Sequence, residues 1–124
     1  MKLNSFEFGL LTGTLRRLVQ EWVDIRQWRK LGAIDCAKGH ALDIGCGQGH
    51  GIKLAVSKFG VGKVDAFDTD ERMLKRSRLA TAKLRNIQLS NHSATQIPAA
   101  DASYDLVFDY QVFHHIDDWP AAIR

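Results

Sequence analysis

Cysteine is scarce in this 124-residue chain: Cys36 and Cys46 stand ten positions apart, with no Cys-x-x-Cys pair and no histidine pair at zinc-ligand spacing nearby. That excludes a disulfide-stapled scaffold, assigns no metal ligands, and leads us to expect two reduced thiols in a cytoplasmic setting. Long apolar runs are missing too. Leu10-Leu11 runs straight into Thr12-Gly13-Thr14, so neither a signal peptide nor a membrane span is read, and no membrane partner is expected. Nor is there a basic run interleaved with aromatics. The net charge of +3 is spread unevenly, with seven Lys/Arg against four acids in residues 1–40, seven against five in 41–80 and three against five in 81–124. Such an excess belongs to an ordinary solvated surface, and no nucleic-acid partner is expected. A composition 45% hydrophobic and 25% charged excludes a disordered tail and suffices for a globular core.

What is present is concentrated at Ala41-Leu42-Asp43-Ile44-Gly45-Cys46-Gly47-Gln48-Gly49-His50-Gly51. A short apolar run ends in an acid and then in alternating glycines, which reads as a buried strand breaking into a ligand loop, with a helix following over Ile52 to Phe59. Two nucleotide templates fail on a missing residue. The dinucleotide fingerprint requires a third glycine where His50 stands, and the phosphate loop requires Gly-Lys-Ser/Thr where the chain has Gly51-Ile52-Lys53-Leu54. A second acid, Asp68, closes the next apolar run and suits a ribose diol, whose two hydroxyls can both donate to one carboxylate.

In order along the chain, Leu15, Leu18, Val19, Trp22 and Ile25 recur at helical spacing after a candidate cap at Thr14, and Gly32 marks the helix end. Phe6, Phe8, Trp22 and Trp28 read as packing residues, or as the lining of a lid. Strands are expected over His40–Ile44, Lys63–Phe67, Ile87–Ser90 and Tyr104–Phe108, the last apolar on both faces and therefore central. Helices are expected over His50–Phe59 and from an Asp70 cap to about Leu84, with another announced by the acid and early proline of Asp118-Trp119-Pro120. Strands alternating with helices predict a parallel, doubly wound α/β sheet. Residues 1–39 are expected to form a helical cover segment and 40–124 the core.

Three stretches together resemble the class I S-adenosylmethionine-dependent methyltransferases: Ala41–Gly51; Ala66-Phe67-Asp68-Thr69-Asp70-Glu71-Arg72-Met73-Leu74; and Ser93–Ile116, with Ala94-Thr95-Gln96-Ile97-Pro98, Tyr104-Asp105-Leu106-Val107-Phe108-Asp109 and Phe113-His114-His115-Ile116 like the small-molecule enzymes. The resemblance implies a Rossmann-like methyltransferase fold with strand order three, two, one, four, truncated after the fourth strand. S-adenosyl-L-methionine is the implied cofactor and an unidentified small molecule the acceptor. It implies that Gly45, Cys46, Gly47 and Gly49 bring backbone to the methionine part while Asp43 orients its amino group, directly or through water. Asp68 and Thr69 would hold the ribose, and Ser93 and Ala94 would border the adenine. Asp109 and Tyr110 would face the transferring methyl group. Where Ser93 stands the family usually has an acid, and a neutral serine should hold the base less firmly. His115 or His114 is the available general base, against the alternative that both pack or cap.

The expected truncation makes the chain a fragment whose fourth strand lies open to self-association. A non-catalytic nucleoside-binding remnant is the alternative function. A dehydrogenase is disfavoured by His50, and an RNA or protein methyltransferase by the lack of an Asn-Pro-Pro-Tyr-like motif after strand four and of a basic groove.

Overall fold

The structure, a computed structural model, describes residues 5–110, 112 and 115–122. It divides after Ala33 into two compact units. The division falls earlier than the expected boundary after residue 39 because the stretch from the 3-10 turn Ala33–Cys36 onward bonds into the second unit: Lys38 N–H donates to Gly60 O (2.8 Å), and Gly39 O accepts from both Gly62 (3.0 Å) and Lys63 (3.1 Å).

The first unit is helix α1, Ser5–Lys30. It begins well before Thr14, which is therefore helical and not the cap; once a helix is nucleated, each added residue adds one backbone bond, so a weak stretch containing Gly9 and Gly13 is carried along. Leu15, Leu18, Val19 and Trp22 are all more than half exposed, and the Arg26 guanidinium lies 5.0 Å above the Trp22 ring. Gly32, with φ 94°, closes the helix as its sequence position suggests. No helix among the described residues is long and apolar enough to cross a membrane.

The second unit carries β1 (His40–Ile44), α2 (His50–Phe59), β2 (Lys63–Asp68), α3 (Glu71–Ala80), β3 (Ile87–Asn91), β4 (Leu106–Asp109) and α4 (Trp119–Ala122). The strands form one parallel sheet, as the alternating pattern predicts, in the order β3-β2-β1-β4 that the family resemblance implies. Registers run Ala41 against Val64 and Leu106, and Val64 against Ile87. The core gathers on β1 and β2, where Ala41, Leu42, Ile44, Val64, Ala66 and Phe67 are buried with Ile52, Leu54, Ala55 and Phe59 of α2 and Leu74 of α3. Full burial of a side chain such as Ile52 or Leu74 contributes about 1.5–3 kcal/mol.

Three expectations need correction. Helix α3 stops at Ala80, not near Leu84: Thr81, its C-cap, still donates its N–H to Ser77 O (2.9 Å) but has left helical backbone at φ −107° and ψ 7°, and Leu84 N–H then closes a tight turn on Thr81 O (2.8 Å). Strand β4 starts at Leu106, not at Tyr104. The two residues before it are tied to β2 and β1: Tyr104 Oη donates to Asp65 Oδ2 (3.2 Å), while Asp105 donates its N–H to His40 O (2.8 Å) and its carboxylate accepts from His40 N–H (2.8 Å). Third, β4 is not central but at the sheet edge among the described residues, with Val107 53% exposed. Its apolar composition records a two-sided environment that the described residues do not supply.

Candidate functional site

The carboxyl ends of β1, β2 and β3 meet where the glycine loop leaves the sheet. Gly45 (φ 68°), Gly47 (φ 50°) and Gly49 (φ 83°) all have left-handed backbone. At Gly45 a side chain is also excluded by space, since a Cβ there would lie 2.4 Å from Val112 Cγ1. At Gly47 a Cβ would meet nothing within 4 Å, so this part of the loop is open. Cys46 N–H donates to Phe67 O (2.9 Å), carrying the pairing with β2 one step into the loop.

Asp68 holds the loop in place. Its Oδ2 accepts from Gly47 N–H and its Oδ1 from Asp70 N–H, both at 2.9 Å. Each carboxylate oxygen keeps a second lone pair for a ligand hydroxyl. Asp70 caps α3, its Oδ1 accepting from Arg72 N–H (2.9 Å), and the Arg72 guanidinium forks onto the same carboxylate. That side-chain hydrogen bond from Arg72 lowers the Asp70 pKa to about 2.

A cavity of about 360 Å³ opens beside the loop, lined by Gly45, Asp68, Thr69, Ser93, Ala94 and His115 among others. Its volume lies at the lower end of the few hundred cubic ångströms that small-molecule sites occupy. Five expected cofactor contacts and one candidate base therefore share one wall system. His92, which sequence reading passed over, also lines it; only the cavity reveals it, because a lone histidine after a strand carries no pattern. His114 lies outside the described residues. Cys46 does not face the cavity. Its thiol is buried and pushed up to about 12, chiefly by burial and then by the nearby Asp43, which leaves it unreactive.

Asp43 is fully buried beneath the loop, and neither of its carboxylate oxygens has a hydrogen-bond partner among the described residues. Burial first, then Asp109, then Asp68, raises its pKa well above the ordinary carboxylate value. A buried acid left without a donor is the mark of a site completed from outside, and a ligand amino group or cation would satisfy it. The start of α2 presses close: a Cβ on Gly51 would stand 3.0 Å from Asp43 Oδ2 and 3.2 Å from Tyr110 Cβ. Tyr110 in turn packs its ring 5.1 Å from that of His50. Asp109 borders a different space, an apolar groove of about 480 Å³ shared with Val107, Phe108 and Ala122, and its Oδ1 accepts from Val112 N–H. The 360 Å³ cavity and this groove share Ile44 in their linings.

The residues fit an S-adenosyl nucleoside on three counts: backbone freedom at the glycines, a paired carboxylate at Asp68 and an orphaned acid at Asp43. Comparison with known proteins agrees. A family profile described as a methyltransferase domain matches residues 41–124. The demethylmenaquinone methyltransferase of Staphylococcus epidermidis is 33% identical over 101 residues, which cover 78% of this chain and 42% of that protein. The chain thus spans less than half the length of this curated relative. Among solved structures, an S-adenosylmethionine-dependent methyltransferase from Mesorhizobium loti superposes with a TM-score of 0.66 at 24% identity, over 82% of this chain and 44% of that one. A second, from Aquifex aeolicus, gives a TM-score of 0.68 at 23% identity, over 79% and 53% respectively. By sequence motif, sheet order and family match, this chain belongs to the class I S-adenosylmethionine-dependent methyltransferases.

Proposed function

We propose that the chain is the cofactor-binding part of an enzyme that moves a methyl group from S-adenosylmethionine to a small-molecule acceptor. The observation that carries this reading is the single cavity joining Gly45 of the glycine loop to the Asp68-Thr69 and Ser93-Ala94 corners. The bound cofactor supplies a sulfonium-activated methyl group whose leaving group is already built in, so the protein's work is positioning and, where needed, proton removal. Asp68 accepts from the ribose hydroxyls. Asp43 accepts from the amino group, and Gly45, Gly47 and Gly49 admit the chain that bears it. Asp109 and Tyr110 stand at the carboxyl end of β4, on the side suited to the acceptor. His115 is the candidate base. Its place on the cavity wall also suits cofactor contact, so His115→Gln in an active enzyme is the deciding variant: loss of turnover and of a pH inflection at unchanged cofactor affinity supports the base, and an unchanged profile supports packing. Two cysteines, read as reduced thiols, suit a reducing, cytoplasmic setting.

Calorimetry tests the cofactor reading. S-adenosylhomocysteine should bind in preference to NAD or ATP, and preferential NAD binding would overturn it. For the acceptor, demethylmenaquinone is the first compound to assay, given the name of the Staphylococcus relative. The alternative, nucleoside binding without turnover, is favoured by the exposed edge of β4; a methylation assay beside the calorimetry separates the two.

A further inference from the structure

The corner of the cavity expected to recognise the base is occupied by Ser93, and its hydroxyl is already engaged. Ser93 Oγ lies 2.9 Å from Thr95 Oγ1 and accepts from Thr95 N–H at 3.3 Å, so it is turned back on its own loop. The residue before it has a different position. His92 is half-buried and borders both the 360 Å³ cavity and an adjoining one of about 140 Å³ lined by Asp65, Gln88, Ser90 and Tyr104 among others. His92 therefore lies where the two cavities adjoin. It makes no hydrogen bond to the described residues. The backbone leading to it is fixed, because Asn91 Nδ2 donates to Glu71 Oε1 (3.1 Å) and to Thr69 O (3.4 Å), tying the end of β3 to the loop that carries Asp68.

We infer that His92, and not Ser93, is the side chain that recognises the purine base of the nucleoside held in this cavity. The inference rests on the cofactor reading above. A neutral imidazole offers what that corner otherwise lacks: a nitrogen that accepts from an exocyclic amine, a second that donates to a ring nitrogen, and a flat face on which a base can lie. A serine engaged with Thr95 has at most one hydroxyl position left to offer, and no flat face. The position also explains how the chain does without an acid at residue 93, since the acceptor has moved one residue along the loop.

The test is calorimetry on the full 124-residue chain with two ligands, S-adenosylhomocysteine and S-inosylhomocysteine, which differ in carrying an amine or a carbonyl on the base. Wild-type chain should prefer the adenine compound about tenfold, a modest discrimination for a site with a single hydrogen-bonding reader. His92→Ala should weaken the adenine compound by about tenfold and erase the preference, while His92→Gln, whose amide oxygen still accepts, should keep part of it. Ser93→Ala should weaken both compounds alike and keep the preference. Thermal melting of each variant confirms that the fold is kept. Wild-type affinities and preference in both His92 variants, or loss of preference in Ser93→Ala, would overturn the assignment while leaving the cofactor reading intact. Failure of the wild-type chain to bind either compound would overturn both.

Discussion

β2 and β4 flank the same strand, yet one is locked into the molecule and the other is half exposed. β2 is bounded by β1 and β3 and leads into Asp68, whose two oxygens each hold a backbone N–H of a neighbouring loop. β4 pairs with β1 alone among the described residues, and its Val107 side chain is largely in water. Cofactor-side residues are thus over-determined by contacts, and substitutions there should be felt in both stability and binding. Residues on the β4 edge should be nearly silent in stability and felt in association instead.

The largest effect is expected at Gly45. Gly45→Ala would force an L-residue to φ 68° and push a methyl into Val112. We expect a loss of about 2–4 kcal/mol in thermal or urea unfolding and no measurable cofactor binding. A normal melt would mean that the segment bearing Val112 yields, and the contrast between the two sides would weaken.

Asp68→Ala should weaken S-adenosylhomocysteine by roughly 1.5–3 kcal/mol through lost charge-assisted bonds to the ribose. Because Asp68 also holds Gly47 and Asp70, a smaller drop in melting temperature should accompany it. Normal binding with a much earlier melt would make Asp68 a structural tie alone.

Asp43→Asn should do the reverse, raising the melting temperature of the ligand-free chain by several degrees while weakening the cofactor. The sign follows from linkage. The folded-state pKa of Asp43 is raised, so above the ordinary carboxylate value of 3.8 the folded chain holds a proton that the unfolded chain has released. Stability therefore falls as pH rises from 3.8 towards the raised folded value, and this part of the pH dependence should vanish in the Asn variant. Melting curves across that range check it; a destabilised Asn variant would show that the buried carboxylate is satisfied in the free chain.

The smallest effect on stability is expected at Val107→Lys, within about 0.5 kcal/mol, as for exposed positions generally. Its effect on association should be plain. The chain made alone is expected to self-associate along β4, and a lysine on that strand should shift light scattering towards monomer. A monodisperse wild-type monomer that turns over would remove this side of the contrast.

Most strand limits were legible because period, glycine breaks and the Asp70 cap are local signals, whereas the sheet order came through the family resemblance. The end of α3 was not, since Thr81 leaves helical backbone and Leu84 closes on it as a turn, a change that no residue type there announces. The start of β4 was not either, because the ties of Tyr104 and Asp105 run to Asp65 and His40, residues distant in sequence.

For the site, the sequence by itself determined the residue types: glycines at alternating positions, acids at the ends of two apolar runs, a serine where an acid is usual. These follow from backbone conformation and ligand chemistry, which individual residues carry wherever they are placed. Only the tertiary structure decided which of them share a wall. It turned the Cys46 thiol inward, set Asp109 in a separate groove from Asp68, stripped Asp43 of donors and brought His92 to the cavity. Each of those outcomes depends on the packing of elements far apart in the chain, where burial and neighbouring charge, unlike local pattern, act through distance in space.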